Sequence, residues 1–189
     1  VRQPVISAVT KLDGLGNSYP NSAAPLAVDI ANDTMSFALQ TCNAAAPAAP
    51  AYNLQLVDTL ATQLDEASIA NLQVEINGAA ATAGVDYTYT APAVRGGSMT
   101  FDLLVPLQAG QCATVDYDIG FYTDVAPNQT WPNSVSDTEY WSLPTPTTDG
   151  EQYALVGPAE LWMTNATVDP LPVKTVLTPV SPDVDVTIG

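Results

Sequence analysis

The sequence predicts an all-β protein: two antiparallel sheets packed as a sandwich, with long loops between strands. Three observations support this. Polar and apolar residues alternate with a period of two in most segments; Leu54, Leu56 and Leu60, for example, oppose Asn53, Gln55 and Thr59. Clusters of Pro, Gly, Asn and Ser punctuate the chain between these segments. No segment carries the apolar spacing of a regular helix.

Taken in order, residues 4–12 read as the first strand and 13–25 as a long loop rich in Gly, Asn, Ser and Pro. Residues 26–30 form a short strand. Asn32-Asp33 then turns into a strand over 34–42, with Met35, Phe37 and Leu39 on its core face. The run NAAAPAAP at 43–50 is a loop despite its alanines, because its prolines break a helix. Residues 51–60 (AYNLQLVDTL) alternate most clearly. Residues 61–70 (ATQLDEASIA) are the one stretch compatible with a helical turn, and are expected as loop or one to two turns. Residues 71–76 alternate, and Asn77-Gly78 signals a hairpin. Strands follow at 85–90, 98–107 and 112–123, the last with Ala113, Val115, Tyr117, Ile119 and Phe121 facing in. In residues 130–141, Trp131, Asn133 and Val135 share a face. A loop at 144–150 leads to a last strand or two over 153–168. Eight to ten strands without regular helices make the sandwich immunoglobulin-like.

An internal half-repeat sets the domain boundary. PVISAVTKLDG followed by LAVDIAND near the start resembles DPLPVKTVLTP followed by DVDVTIG near the end, with Lys11 and Lys174 in the same place. The expected organisation is one module over 1–168, with 169–189 as a linker and the first strand of a following copy. Neighbouring repeats of the same chain are then its partners.

Composition excludes several function classes. The 189 residues, 47% of them apolar, suffice for one domain with a real core. A net charge of −16 repels phosphate backbones and anionic lipid, which argues against nucleic acid and membrane surfaces as partners. No apolar run approaches membrane-spanning length, and the first residues do not read as a signal peptide, so the chain is expected to be a mature or excised part of something larger. There is no histidine, which removes the commonest general base, the Ser-His and Cys-His pairs and most zinc sites.

Cys42 and Cys112 lie far apart and lack metal or redox spacing. By alternation, both point to the outer faces of their strands, as a disulfide between neighbouring strands requires. Two separate thiols are the alternative, although an exposed thiol is reactive. A disulfide implies an oxidising compartment outside the cytosol. Asp58 is the other anomaly, because it shares the core face of Leu54, Leu56 and Leu60. Either the register slips there and the carboxylate reaches water, or it has a buried partner.

The order of motifs resembles a known family. A first-strand lysine is followed by LAVDIANDTMSFALQTCN, AYNLQLVDTL, SMTFDLLVPLQAGQCATVDYDI and WPNSVS. This resembles the tandem immunoglobulin-like repeats of large prokaryotic surface proteins and adhesins, and is similar to the CnaA-like isopeptide-forming domains of pilins. The shorthand of the tandem repeats is a first-strand lysine, V-x-D-T-L-P, L-x-P-G and a later N-x-A/S-x-V. Ala61 stands here where the family often has proline, and the insertions at 17–24, 43–50 and 144–158 depart from its pattern. The resemblance implies that Lys11 joins the Asn133 side chain while Asp58 assists. Burial favours a neutral, nucleophilic amine and a carboxyl that donates to the amide carbonyl. The phase of Lys11 is ambiguous, since Val5 and Val9 share it but Ile6, Ala8 and Leu12 oppose it. In the alternative, Lys11 snorkels and pairs with an acid while Asn133 satisfies backbone groups in a turn.

Other constellations are weaker. Asp116 with Asp118, and Asp183 with Asp185, are calcium candidates, chiefly near the tail; no other cofactor is expected. Trp131, Trp141, Trp162, Tyr140 and Tyr153 are candidates for a sugar platform or for core. The expected function is non-enzymatic: an extracellular stalk or spacer module of a surface repeat protein or adhesin, tied by covalent cross-links. The alternative is a module that itself binds glycan, protein or calcium.

Overall fold

Alternation along the strands builds two facing layers. The computed structural model describes residues 2–31, 33–144, 150–153 and 156–165. One sheet has the order β1 (Ile6–Asp13), β3 (Met35–Asn43), β9 (Cys112–Phe121), β5 (Leu64–Ile76) and β6 (Ala79–Ala80). The other runs β2 (Leu26–Ala27), β12 (Val156–Thr164), β10 (Thr130–Trp141), β4 (Tyr52–Thr59), β8 (Ser98–Leu103) and β7 (Tyr87–Thr90), with β11 (Gln152–Tyr153) paired to β10. This is the immunoglobulin-like sandwich that the sequence predicts. Pairings between these strands are antiparallel except β2 with β12, where Leu26 and Ala27 run parallel to Met163 and Thr164. Among the described residues the strands number twelve rather than eight to ten. The two-residue β6 and β11 are too short to show alternation, and the strand expected over 26–30 is only the two residues of β2.

Inward positions of both sheets form one interior. Phe37 and Leu39 from β3, Val115 and Ile119 from β9, Leu54 and Leu56 from β4, and Val135 from β10 are all buried. Removing this much apolar surface from water is the main force holding the layers together. At the β5–β6 hairpin, Asn77 and Gly78 take positive φ of 53° and 74°, the primed-turn geometry that such a pair favours.

Two irregularities explain where the periodic reading was ambiguous or wrong. In β1 the register with β3 slips between Ile6 and Ala8. Ile6 is buried before the slip, and Lys11 and Asp13 are buried after it. One extra residue thus swaps the face, and both phases of this strand are apolar for part of its length. Residues 61–70 were expected as loop or helical turns, but β5 already begins at Leu64, which is fully buried opposite Phe121. Between Asp65 and Ala70 the register with β9 shifts. Ser68 fills the irregularity: its Oγ accepts the Gly120 N–H at 2.7 Å and donates to the Asp65 carbonyl at 2.7 Å. This bulge erased the alternation in the sequence. The strand expected over 98–107 ends at Leu103; after Pro106, Leu107 exchanges two backbone hydrogen bonds with Ala51, of 2.8 and 2.9 Å.

The half-repeat at 169–189, including Lys174, Asp183 and Asp185, lies outside the described residues.

Candidate functional site

Strand phase brings four polar side chains together between the sheets. β1 supplies Lys11 and β9 supplies Tyr117 from one layer; β4 supplies Asp58 and β10 supplies Asn133 from the other. All four are buried, Asp58 and Asn133 completely. Lys11 Nζ lies 2.6 Å from each carboxylate oxygen of Asp58. The Tyr117 hydroxyl donates to Asp58 Oδ2 at 2.6 Å and lies 3.4 Å from Lys11 Nζ. Asn133 Nδ2 donates to that hydroxyl at 3.4 Å, while Asn133 Oδ1 accepts the Ala61 backbone N–H at 3.3 Å. The alternative of a slipped register that takes Asp58 to water does not occur.

The surroundings are apolar and aromatic. Lys11 Nζ sits 4.7 Å from the centre of the Phe37 ring, which is tilted against Tyr117 at 5.4 Å. Burial pushes the Lys11 amine below its ordinary range, and the Asp58 charge opposes that push. Burial, followed by the Asp58 charge, raises the Tyr117 phenol well above its ordinary range, so it remains a proton donor. The cluster therefore holds a nucleophile with lowered basicity, a proton acceptor beside it, and a carboxamide gripped at both ends.

Tyr117 was read as core, and its role was missed. The usable signal was a phenol on an inward position, whose O–H requires a partner when buried. Asp137 was missed for a different reason: it continues the phase of Trp131, Asn133 and Val135, but was not followed that far. It is fully buried, and Thr41 Oγ1 donates to its Oδ2 at 2.8 Å.

The other candidates are dispersed. Cys42 and Cys112 stand opposite each other on β3 and β9 and form a disulfide, with Cα atoms 4.0 Å apart. Asp118 accepts from Ser36 at 2.5 Å and Asn71 at 2.6 Å on the outer face. Among the described residues, no group of three or more His, Cys, Asp and Glu side chains could hold a metal ion. Trp131 packs edge-on against Phe121 inside the sandwich, which withdraws it from any sugar platform. Tyr140 and Tyr153 stack at 5.2 Å, and Trp162 donates to Glu160.

No family model matches the sequence. No curated protein matches it either. Solved structures do share the fold. The 35 kDa C-terminal fragment of the major pilin of Streptococcus agalactiae aligns at a TM-score of 0.57 and 9% identity, over 87% of this chain and 56% of that one. The full-length major pilin of Streptococcus pneumoniae aligns at 0.57 and 18%, over 77% of this chain and 24% of that one. A variant of the major pilin subunit of Bacillus cereus aligns at 0.54 and 11%, over 85% and 41%. The chain thus spans between about a quarter and about half of these pilins, and the likeness is one of fold.

Proposed function

We propose that the chain is a non-enzymatic, load-bearing module of a secreted or cell-surface repeat protein, of the kind that builds a stalk. In this reading Lys11 and Asn133 form an intramolecular isopeptide bond, with Asp58 as the assisting acid. The observation that carries it is the burial of these three residues in one cluster with Tyr117. A buried Lys–Asp pair is a poor way to gain stability, since desolvation offsets most of its attraction. The same pair beside a held carboxamide is a chemical arrangement: Lys11 attacks, ammonia leaves, and one amide replaces two buried charges. The fold shared with pilus backbone subunits supports a structural role.

The position of the bond suits load. It would join β1 in one sheet to β10 in the other and close the chain from residue 11 to residue 133. The disulfide lies inside that loop and ties two neighbours of one sheet. A pull on the polypeptide either side of the module would then pass through the isopeptide and leave residues 12–132 unextended. Both ties would also restrict the unfolded chain.

Intact mass of native and reduced protein tests this. The native chain should be lighter than its sequence by one ammonia and two hydrogens, and reduction should restore the hydrogens alone. Lys11→Ala should keep the ammonia. A wild-type chain that has lost only the disulfide hydrogens would sink the isopeptide.

A further inference from the structure

We propose that the Ala61 backbone amide and the Tyr117 hydroxyl complete this chemistry as catalytic groups: the first stabilises the oxyanion on Asn133, and the second protonates the departing nitrogen. The inference rests on the Lys11–Asn133 reading and assigns what that reading leaves open, the fate of the carboxamide's two ends.

The Asn133 carboxamide is held at both ends by groups of different kinds. A backbone N–H can donate but never accept, so Ala61 selects the oxygen end, at 3.3 Å. That choice turns Nδ2 toward the Tyr117 oxygen, 3.4 Å away. The Tyr117 proton already points along a 2.6 Å bond to Asp58 Oδ2. Asp58 hydrogen-bonds to Lys11 and to Tyr117, so the phenol links it to the nitrogen end of the carboxamide. Among the described residues, the Ala61 N–H has no backbone partner. A proline at this position, as in the V-x-D-T-L-P shorthand, would have no N–H to give.

The steps balance. Lys11 passes one proton to Asp58, and the Nζ lone pair attacks Asn133 Cγ. The carbonyl electron pair moves onto Oδ1, where the Ala61 N–H meets the new charge. Collapse re-forms the carbonyl and expels Nδ2 with its bonding pair. Tyr117 gives that nitrogen a proton and is reprotonated by Asp58, which then takes the second proton from Nζ. The products are a secondary amide, ammonia, an intact Tyr117 and a protonated Asp58.

The test uses the whole chain made by cell-free synthesis, quenched in denaturant at timed intervals and weighed intact. Tyr117→Phe keeps the ring against Phe37 and removes the hydroxyl. Ala61→Pro removes the N–H, and Ala61→Gly keeps it. The phenylalanine and proline variants should each lose ammonia about 100-fold more slowly than wild type, and the glycine variant at close to the wild-type rate. A slow proline variant beside a fast glycine variant isolates the N–H from any packing effect of the side chain. If wild type loses ammonia and both slow candidates keep pace with it, this inference is overturned and the cross-link stands. If wild type keeps its ammonia, the cross-link falls and takes the inference with it.

Discussion

The interior contains two carboxylates, Asp58 and Asp137, that the fold surrounds in opposite ways. Both are fully buried, and they sit on the adjacent antiparallel strands β4 and β10, where Asp58 pairs with Val135 and Asp137 with Leu56. Asp58 has an ammonium on both oxygens and a phenol on one. Asp137 has the Thr41 hydroxyl on Oδ2, and among the described residues its Oδ1 has no hydrogen-bond partner. Burial pushes the Asp137 carboxyl up to about 7, and the Thr41 bond pulls it partly back. Burial of an acid is therefore not by itself a sign of chemistry. The partner set decides: a cation and a donor make Asp58 part of a reactive cluster, while a lone hydroxyl leaves Asp137 to titrate at about 7.

The largest effect should come from removing the better-supported acid. Asp58→Ala leaves the Lys11 ammonium buried without its counter-ion, which costs about 3–5 kcal/mol. It also takes away the proton acceptor that bond formation needs, so the chain should keep its ammonia. Melting should fall by about 10 °C or more, and intact mass should show no ammonia loss. A variant that melts like wild type would show that neither the cross-link nor a counter-ion for Lys11 contributes to stability.

Removing the poorly supported acid should do the reverse at high pH. For a carboxyl whose folded value is raised, the folded state binds more protons than the unfolded state between about 3.8 and about 7. Stability is then fully present below the unfolded value and is lost as pH rises to about 7, beyond which the loss is complete. The span corresponds to roughly 4 kcal/mol. Asp137→Asn removes the titration while keeping the shape and an acceptor for Thr41. Its melting temperature should equal or exceed that of wild type at pH 8 and fall below it near pH 4. Parallel pH profiles for the two proteins would contradict this account of Asp137.

Legibility in the sequence followed the regularity of each strand. Asp58 was readable because β4 alternates without interruption, so a carboxylate among leucines stood out. Lys11 was not, because the slip between Ile6 and Ala8 gives β1 two phases, and the resemblance supplied what periodicity could not. The bulge at Ser68 disguised the start of β5 as a loop. Tyr117 lies on an inward phase that alternation shows, and Asp137 on the continuation of the face of Trp131, Asn133 and Val135. Their meaning depends on which residues face them from the opposite sheet, and that pairing across layers is set by no local pattern. The Ala61 N–H is still less visible, since a backbone donor leaves no mark in the sequence beyond not being proline.

The smallest of these effects sharpens the contrast most directly. Thr41→Val conserves shape, and Thr41 is fully buried, so the change deletes the hydroxyl and little else. Asp137 then has no hydrogen-bond partner from that side, at a cost of about 1–3 kcal/mol at pH 8. Because the Thr41 bond holds the Asp137 value down, its loss should carry the midpoint of the pH profile above about 7. Asp58 lies in the other cluster, so ammonia loss should be untouched. Combined with Asp137→Asn, the valine should cost less than it does alone, since no ionised carboxyl remains to be deprived of its donor. If the valine costs the same with and without the acid, the hydroxyl stabilises the sheet by some route other than Asp137, and the two buried acids differ less than their partners suggest.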